Sequence, residues 1–385
     1  MVSRRMNIET FREGMSVVKD YSYLNHAATA PLHESVLQEL QKISEIQRLG
    51  SIHVPFDHLE NGFTIVRKPI AQFLNCEEQE IALTTTAAHG IALVLESLDW
   101  SNPSKKGIII DDLEFTTNSF AYQQIQKKFG IKLYVVGNKN GFLDLADFEQ
   151  LLTSNEIMLV GISHVQFTNG FKINLKKLHD LTKQYGSLLL VDAIQSCGAI
   201  AINTSDVDFI AVGSYKWCLG PLGTGFLYVK KELQEYMEPI FVSAASDQNL
   251  LDFVHHTFHP HTDARKFQSI FNPNFLAMGK AIELLNEVGI SKIEGQIESL
   301  TDYLVTKLGT IPRIKVDSNR EIEHKSGIVR IVTQDDSIHL GKMVQTLQEK
   351  HVIVSYRSKG LRISPHFYNN YDDIDTFLSI FKSLL

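Results

Sequence analysis

The chain has 385 residues, of which 44% are hydrophobic and 21% are charged, and its formal net charge is −7. This length suggests two or three domains with a sizeable core, and the apolar share excludes a disordered chain. The negative charge argues against a nucleic-acid or anionic-membrane partner, and no membrane-spanning run or secretory signal is visible. Because the three cysteines are widely spaced, we expect a cytoplasmic protein with reduced thiols.

Short apolar runs alternate with helical patterns between about residues 80 and 230. The predicted strands are 80–84, 107–111, 132–136, 157–163, 187–191, 208–212 and 225–229. Most of them are continuous apolar runs, which are typical of strands buried on both faces of a parallel sheet. Between them, apolar residues recur at helical spacing, as at Ala88, Ile91, Ala92 and Leu95. This rhythm predicts an open α/β sheet of seven strands.

The pattern changes after about residue 260. Helices are predicted over 275–288, 290–308, 339–350 and 372–384, with strands over 327–332, 352–356 and 361–363. This mixture is typical of a smaller α+β domain, on which we expect the first 20 residues to pack. We therefore predict a large domain over residues 21–265 and a small domain formed by residues 1–20 with 266–385.

Two charged residues follow neighbouring strands of the predicted sheet. Asp192 ends the run Leu188-Leu189-Leu190-Val191, and Lys216 comes one helix and one strand later. Ligands of open α/β sheets bind at the carboxyl ends of the strands, so both side chains can reach one site. Lys216 stands between Tyr215 and Trp217, beside a glycine-rich loop, and desolvation there would make its amine nucleophilic. Taken alone, Asp192 could equally cap a helix and Lys216 could lie at the surface.

A third element is the threonine-rich turn Thr84-Thr85-Thr86-Ala87-Ala88-His89-Gly90, where a strand runs into a helix. Free backbone N–H groups and the helix dipole at such a start bind phosphate, although simple capping by threonine is the alternative. Neither GxGxxG nor GxxxxGK[ST] occurs, which argues against a dinucleotide or P-loop site. A phosphate cradle, a carboxylate and a reactive lysine together match the needs of pyridoxal phosphate (PLP).

In the order of its motifs, the chain resembles the PLP-dependent class V aminotransferases of fold type I. This superfamily includes cysteine desulfurases, selenocysteine lyases and isopenicillin-N-epimerase-like proteins. The residues that carry the resemblance are Tyr23–Ala28, Thr84–Gly90, Glu114-Phe115, Ser163–Val165, Val191–Gln195, Ser214–Trp217 and Gly360–Ser364. Each motif is weak alone, but the set runs in order through about residues 20–370. The resemblance implies a PLP-transferase fold with a large and a small domain, and a homodimer that shares its active sites.

The resemblance also implies a role for individual residues. Lys216 would form the Schiff base with PLP, and Asp192 would hold the pyridine nitrogen. The other positions that match cofactor-binding residues are Thr86, Ala87, Phe115, Gln195, Ser214, Tyr215 and Asn272. Of these, Phe115 matches the ring that stacks on the pyridine, and Asn272 matches a phosphate ligand of the partner subunit. Arg362 would clamp the carboxylate of an amino acid substrate, with His26 and Ala27 beside it.

The sequence departs from the cysteine desulfurases of this superfamily. These carry an essential cysteine shortly before the carboxylate-binding arginine, but no cysteine lies between Ser318 and Gly360. Phe167 stands where desulfurases place an asparagine. A dense group, His255, His256, His259 and His261, raises the possibility of a metal, but it lacks a known ligand spacing, so we predict no metal site.

We therefore expect a PLP-dependent enzyme that acts on an α-amino acid, with an aminotransferase favoured. A lyase or epimerase that needs no cysteine is the alternative, and a cysteine-dependent desulfurase is disfavoured. A non-catalytic binding protein on the same fold should have lost Lys216 or Asp192, and both are present. A nicotinamide-dependent oxidoreductase lacks its glycine fingerprint.

Overall fold

The computed structural model of the chain describes residues 6–50, 57–102, 106–249, 254, 257–268 and 272–385. The α-helices of these residues are α1 (Ile8–Glu13), α2 (Glu34–Arg48), α3 (Asp57–Leu74), α4 (Ala87–Ser97), α5 (Thr116–Phe129), α6 (Leu145–Ser154), α7 (Leu175–Gln184), α8 (Asn274–Val288), α9 (Ile290–Leu308), α10 (Leu340–Glu349) and α11 (Tyr371–Ser383). The strands are β1 (Ser22–Tyr23), β2 (Ile81–Thr84), β3 (Gly107–Asp111), β4 (Lys132–Val136), β5 (Ile157–Ser163), β6 (Leu188–Asp192), β7 (Phe209–Gly213), β8 (Gly225–Val229), β9 (Ile314–Val316), β10 (Val329–Thr333), β11 (Val352–Ile353), β12 (Ser355–Arg357) and β13 (Gly360–Ile363).

The predicted seven-stranded sheet is confirmed within the described part of the chain. Its strand order is β2-β8-β7-β6-β5-β3-β4. Strand β8 runs antiparallel to β2 and to β7, and the other neighbouring pairs are parallel. Each strand lies within one residue of its predicted bounds, because the continuous apolar runs are themselves the buried strands.

Both faces of this sheet are covered, as the unbroken apolar runs require. In β6, Leu189 and Val191 belong to one hydrophobic core, whereas Leu190 belongs to the core on the opposite face. Successive side chains of a strand point to opposite faces, so only a doubly covered sheet can bury all three. The polar residues that end these strands therefore stand at the edge, where the apolar layers stop.

The C-terminal part contains a four-stranded antiparallel sheet in the order β12-β13-β10-β9. Its apolar side chains pack with those of α9, α10 and α11 in a core of their own. The expectation of one strand over 352–356 is wrong, because β11 pairs with β1 while β12 pairs with β13. Arg12 of α1 forms an ion pair of 2.9 Å with Asp373 of α11. The division at residues 265 and 266 stays a prediction.

None of the described helices is long and apolar enough to cross a membrane. All three cysteines are free thiols, and Cys197 and Cys218 are buried. The Cys218 thiol donates to the Cys197 carbonyl oxygen over 3.2 Å, so it is enclosed among core atoms. Both buried thiols follow strands of the large sheet, and they pack in its core rather than facing solvent.

Candidate active site

The sheet brings together the three motifs that the sequence singles out. Asp192 ends β6, and Lys216 follows the end of β7 by three residues. Gly225 of β8 pairs with Gly213 of β7 on one side and with Thr84 of β2 on the other. The start of α4 therefore lies at the same edge as Lys216, which is the edge where α/β sheets bind ligands.

Lys216 is a buried lysine whose amine faces aromatic rings. Its residue is 9% exposed, and Nζ lies 5.9 Å from the ring centroid of Phe115 and 5.7 Å from that of Tyr215. Burial lowers the pKa of Lys216 to about 8, the Asp192 carboxylate opposes this shift, and Arg362 adds to it. The neutral, nucleophilic form of the amine is therefore far more abundant near neutral pH than it is in an exposed lysine.

Asp192 is a buried carboxylate held by two donors. Asn118 Nδ2 donates to Oδ2 over 2.6 Å, and the backbone N–H of Ile194 donates to Oδ1 over 2.9 Å. Burial raises the pKa of Asp192, while these two hydrogen bonds and the positive charge of Lys216 act in the opposite direction. The carboxylate is therefore oriented by its donors, with acceptor capacity left for a further N–H group.

A second carboxyl group, Glu114, lies behind Asp192 and shares its donor. Asn118 Nδ2 also donates to Glu114 Oε2 over 3.1 Å, and the Ser163 hydroxyl donates to the same oxygen over 3.0 Å. Burial raises the pKa of Glu114 well above its ordinary value, and the charges of Asp111 and Asp192 raise it further. Burial and the neighbouring carboxylates therefore both disfavour the charged form of Glu114, while Asn118 and Ser163 donate to it.

Sequence reasoning missed the role of Asn118 and quoted Glu114 only as part of a motif. A usable signal was present, because Glu114 lies just before α5 and Asn118 lies in its first turn, four residues later. Both are buried, with Asn118 at 2% exposure. Polar residues at this spacing inside an otherwise apolar layer indicate a built network rather than a solvated helix face.

The start of α4 provides the donors for an anion. Thr86 is its N-cap, and its hydroxyl oxygen accepts from the His89 N–H over 3.0 Å. No described residue accepts a hydrogen bond from the backbone N–H groups of Ala87 and Ala88. Together with the helix dipole, these donors favour a phosphate group at this position.

Two of the expected cofactor ligands are engaged elsewhere. The Ser214 hydroxyl lies 2.6 Å from the Thr224 hydroxyl and 3.2 Å from the Pro221 carbonyl oxygen, and the Ser214 N–H donates to the Thr224 carbonyl. Ser214 thus shapes the glycine-rich loop and keeps no free donor for phosphate. The Asn272 amide donates to the Gly223 carbonyl over 3.5 Å at the outer side of this loop.

Arg362 reaches the site from the small sheet. It is only 2% exposed, its Nη1 donates to the Phe167 carbonyl oxygen over 2.6 Å, and its Nε donates to the Ser355 hydroxyl over 3.3 Å. Burial lowers the pKa of Arg362 to about 10. The ring of Phe167 meets the ring of Phe115 edge to face, with centroids 5.2 Å apart. A guanidinium fixed in this way is suited to bind a carboxylate.

His26, Ala27 and Gln195 form a buried wall. The His26 ring bonds to the Ser364 carbonyl through Nδ1, over 2.9 Å, and to the Tyr368 hydroxyl through Nε2, over 2.6 Å. Burial lowers the pKa of His26 well below its ordinary value. Because both ring nitrogens are occupied, the structure gives His26 no free nitrogen for a substrate. Gln195 donates to the Ala27 carbonyl over 2.9 Å, which leaves one amide hydrogen available.

The histidine group lies partly outside the described residues, because His255 and His256 are not described. His259 and His261 belong to the described part of the chain. Within that part, no group of three or more histidine, cysteine or acidic side chains is placed to hold a metal ion.

The residues of this edge fit PLP. Phe115 is 43% exposed although it lies beside Lys216, so its ring offers an open apolar surface for a flat ligand. The buried Asp192 carboxylate suits a protonated ring nitrogen, and the start of α4 suits the phosphate. The fold and this donor set define a PLP-dependent enzyme of fold type I.

Comparisons with known proteins agree with this class. Residues 22–377 match the family described as Aminotransferase class-V. A probable cysteine desulfurase of Pyrococcus abyssi is 24% identical and covers 98% of this chain, and 97% of its own length is matched. Among solved structures, the apo cysteine desulfurase of Thermococcus onnurineus superimposes with a TM-score of 0.87 at 21% identity, over 98% of each chain. A mutant of C-DES with glycine covalently linked to its PLP cofactor gives a TM-score of 0.84 at 20% identity, over 96% of this chain and 98% of that one.

The chain therefore belongs to the class V aminotransferase family, and PLP is its cofactor. The expected fold and cofactor are both confirmed. The family contains several reactions, so membership by itself does not select one of them.

Proposed function

We propose that the protein is an aminotransferase that moves an amino group from an α-amino acid to a 2-oxo acid. The observation that carries the proposal is the juxtaposition of the Lys216 amine, the Asp192 carboxylate and the Arg362 guanidinium at one sheet edge. PLP supplies an electron sink for the bonds at the substrate Cα. No additional nucleophile is needed for transamination, and these three groups cover its requirements.

Each of these residues has a defined task. Arg362 binds the α-carboxylate and thereby orients the bond from Cα to its hydrogen. The neutral amine of Lys216 removes the Cα proton as a general base and returns it as a general acid, for which a pKa of about 8 is well suited. Asp192 would hold a proton on the ring nitrogen, and Phe115 would cover one face of the ring.

A cysteine-dependent desulfurase reaction is disfavoured by the segment in front of Arg362. Strands β12 and β13 are joined by Ser358 and Lys359 alone, so no loop that could carry a cysteine exists there. Cys218 lies two residues after Lys216, but its hydrogen bond at Cys197 and its burial raise its pKa well above the ordinary value. Such a thiol is a poor nucleophile.

A lyase that needs no cysteine is the second candidate. One structural neighbour supports it, since C-DES is described as a cystine C-S lyase. This reaction shares the first proton transfer with transamination, and it differs in the loss of a β-substituent. The residues near Lys216 serve either outcome, so the products decide between them.

We also propose a homodimer, in line with the family resemblance. Ile240, Phe241 and Val242 are exposed by 62%, 49% and 43%. The ring of Phe241 lies 5.7 Å from that of His89, in the first turn of α4. A second copy that covers this apolar patch would lie beside the anion-binding donors, which supports a shared site.

The experiment traces the amino nitrogen from the amino acid to the 2-oxo acid. The holoenzyme is incubated with a panel of ¹⁵N-labelled amino acids and unlabelled 2-oxo acids, and the products are identified by mass spectrometry. Transfer of ¹⁵N to the acceptor supports the proposal, whereas ammonia and a 2-oxo acid formed without an acceptor indicate the lyase. Lys216→Ala should abolish the absorbance of covalently bound PLP and all turnover. The control, Lys172→Ala, removes a half-buried lysine elsewhere in the chain and should keep both.

Arg362→Ala separates substrate binding from cofactor binding. We expect KM for the amino acid to rise by at least about tenfold, because a charge-assisted bidentate contact is lost. The bound cofactor should be unchanged. Loss of PLP from this variant would contradict the assignment of Arg362 to the substrate carboxylate.

A further inference from the structure

The hairpin in front of Arg362 carries a second arginine. Ser358 and Lys359 both have positive φ angles, +48° and +65°, which is typical of a tight two-residue hairpin turn. The register pairs Ser355 with Arg362 and Arg357 with Gly360. Paired residues of antiparallel strands project to one face, and so do residues two apart. Arg357 therefore stands on the same face as Arg362, two pairs nearer to the turn.

The contact between Arg362 and Ser355 supports this placement, because Arg362 Nε donates to the Ser355 hydroxyl. Tyr356, between Ser355 and Arg357, faces the other way and lies against Gly341 at the beginning of α10. The hairpin thus places Tyr356, which is 40% exposed, on the side of α10, and it places both arginines on the opposite face.

The two arginines differ from a third one on the same face. Arg330 of β10 pairs directly with Arg362 in the sheet, but its guanidinium forms an ion pair of 2.9 Å with Asp317. Within the described residues, no carboxylate forms an ion pair with Arg357 or Arg362. Arg357 is exposed, and its hydrogen bond is to the backbone carbonyl of Tyr356. It is therefore a cation without a counter-ion in the described part of the chain.

The charge of Arg357 acts on two groups of the site. Its charge lowers the pKa of Arg362 and, more weakly than Arg362 itself, that of Lys216. The cationic groups here are Arg357, Arg362 and the partly charged Lys216. The carboxylate of Asp192 is the negative charge that partly compensates them. The α-carboxylate of a substrate neutralises one guanidinium, and the other stays available for a second anionic group.

We propose that Arg357 binds the side-chain carboxylate of an acidic α-amino acid, while Arg362 binds its α-carboxylate. The substrate class is therefore a dicarboxylic amino acid such as aspartate or glutamate, with the corresponding dicarboxylic 2-oxo acid as the other member of the pair. This assignment rests on the proposed function. The two-residue turn fixes the register, so the hairpin sets the separation of the two arginines along the backbone.

The test compares acids with their amides, which have nearly the same shape. For the holoenzyme, kcat/KM for glutamate and aspartate should exceed that for glutamine and asparagine by at least about tenfold. Arg357→Gln should remove this preference mainly through KM, and it should leave the values for the amides within about twofold. The matched control is Lys342→Gln, which removes one charge from α10 on the other face of the hairpin. It should leave the preference intact.

Calorimetry provides a readout that needs no turnover. Glutarate should bind the holoenzyme at least about tenfold more tightly than butyrate, and Arg357→Gln should abolish that difference. An equal preference for acids and amides, or a preference unchanged in Arg357→Gln, would overturn the assignment. If no amino acid is turned over, the proposed function is wrong. The calorimetry still decides in that case whether Arg357 binds a second carboxylate.

Discussion

The reactivity of Lys216 offers a direct test of the electrostatics of the site. With a pKa of about 8, about a quarter of the Lys216 amines are neutral at about pH 7.5. An ordinary lysine, with a pKa of ~10.4, is neutral to only about 0.1% at that pH, so the structure predicts an excess of about 200-fold. Because only the neutral amine attacks an acylating reagent, this ratio is measurable.

The assay is trace acetylation of protein from which the cofactor has been removed with hydroxylamine. The extent of labelling at Lys216 is followed by mass spectrometry between about pH 6 and about pH 10.5, relative to exposed lysines of the same chain. The midpoint should lie near 8. Asp192→Asn should move it to lower pH, because the lost carboxylate raises the pKa of Lys216. Arg362→Gln should move it to higher pH, because the lost guanidinium lowers that pKa. A midpoint near that of the exposed lysines would refute this account, and so would shifts of the opposite sign.

Two further predictions concern stability. Asn118→Ala removes the donor at 2.6 Å from the buried Asp192, and the free energy of unfolding in urea should fall by about 1.5–3 kcal/mol; a loss below about 0.5 kcal/mol would contradict the network. Gly360→Ala places a Cβ 2.7 Å from Arg330 Nε, so we expect a loss of about 1–3 kcal/mol and a raised KM. Gly295→Ala is the matched control, because no atom lies within 4 Å of its added Cβ and alanine favours the helix, and it should stabilise the protein by about 0.5–1 kcal/mol.

The local pattern of apolar residues predicted the strands correctly where a whole run of neighbouring residues is buried. The seven strands of the large sheet follow from continuous apolar runs, and the spacing of Asp192 and Lys216 predicts a shared edge. The prediction of one strand over 352–356 is wrong, because the pattern of apolar residues does not show with which strand each residue pairs. Both parts of this segment are extended, but Val352–Ile353 pairs with β1 and Ser355–Arg357 pairs with β13.

The site roles of Ser214 and His26 stay predictions, and both residues have hydrogen-bond partners within the protein that the sequence did not indicate. Ser214 follows a strand end as a phosphate ligand would, yet its hydroxyl turns to Thr224. His26 lies within a recognisable motif, but Tyr368 and Ser364 occupy its ring. In both cases the residue type permits two roles, and the choice depends on which distant acceptor the fold brings near.

The sequence by itself determined that a lysine and an aspartate would follow adjacent buried strands, because hydrophobic periodicity specifies strands and strand ends. Only the tertiary structure decided which charged and hydrogen-bonding groups surround this lysine and this aspartate. Asn118 joins Asp192 to Glu114, and the hairpin register turns Arg357 toward the same edge as Arg362. The contact of Asn118 with Asp192 joins segments that are 74 residues apart, and no local pattern of polarity specifies the direction in which a polar side chain will point.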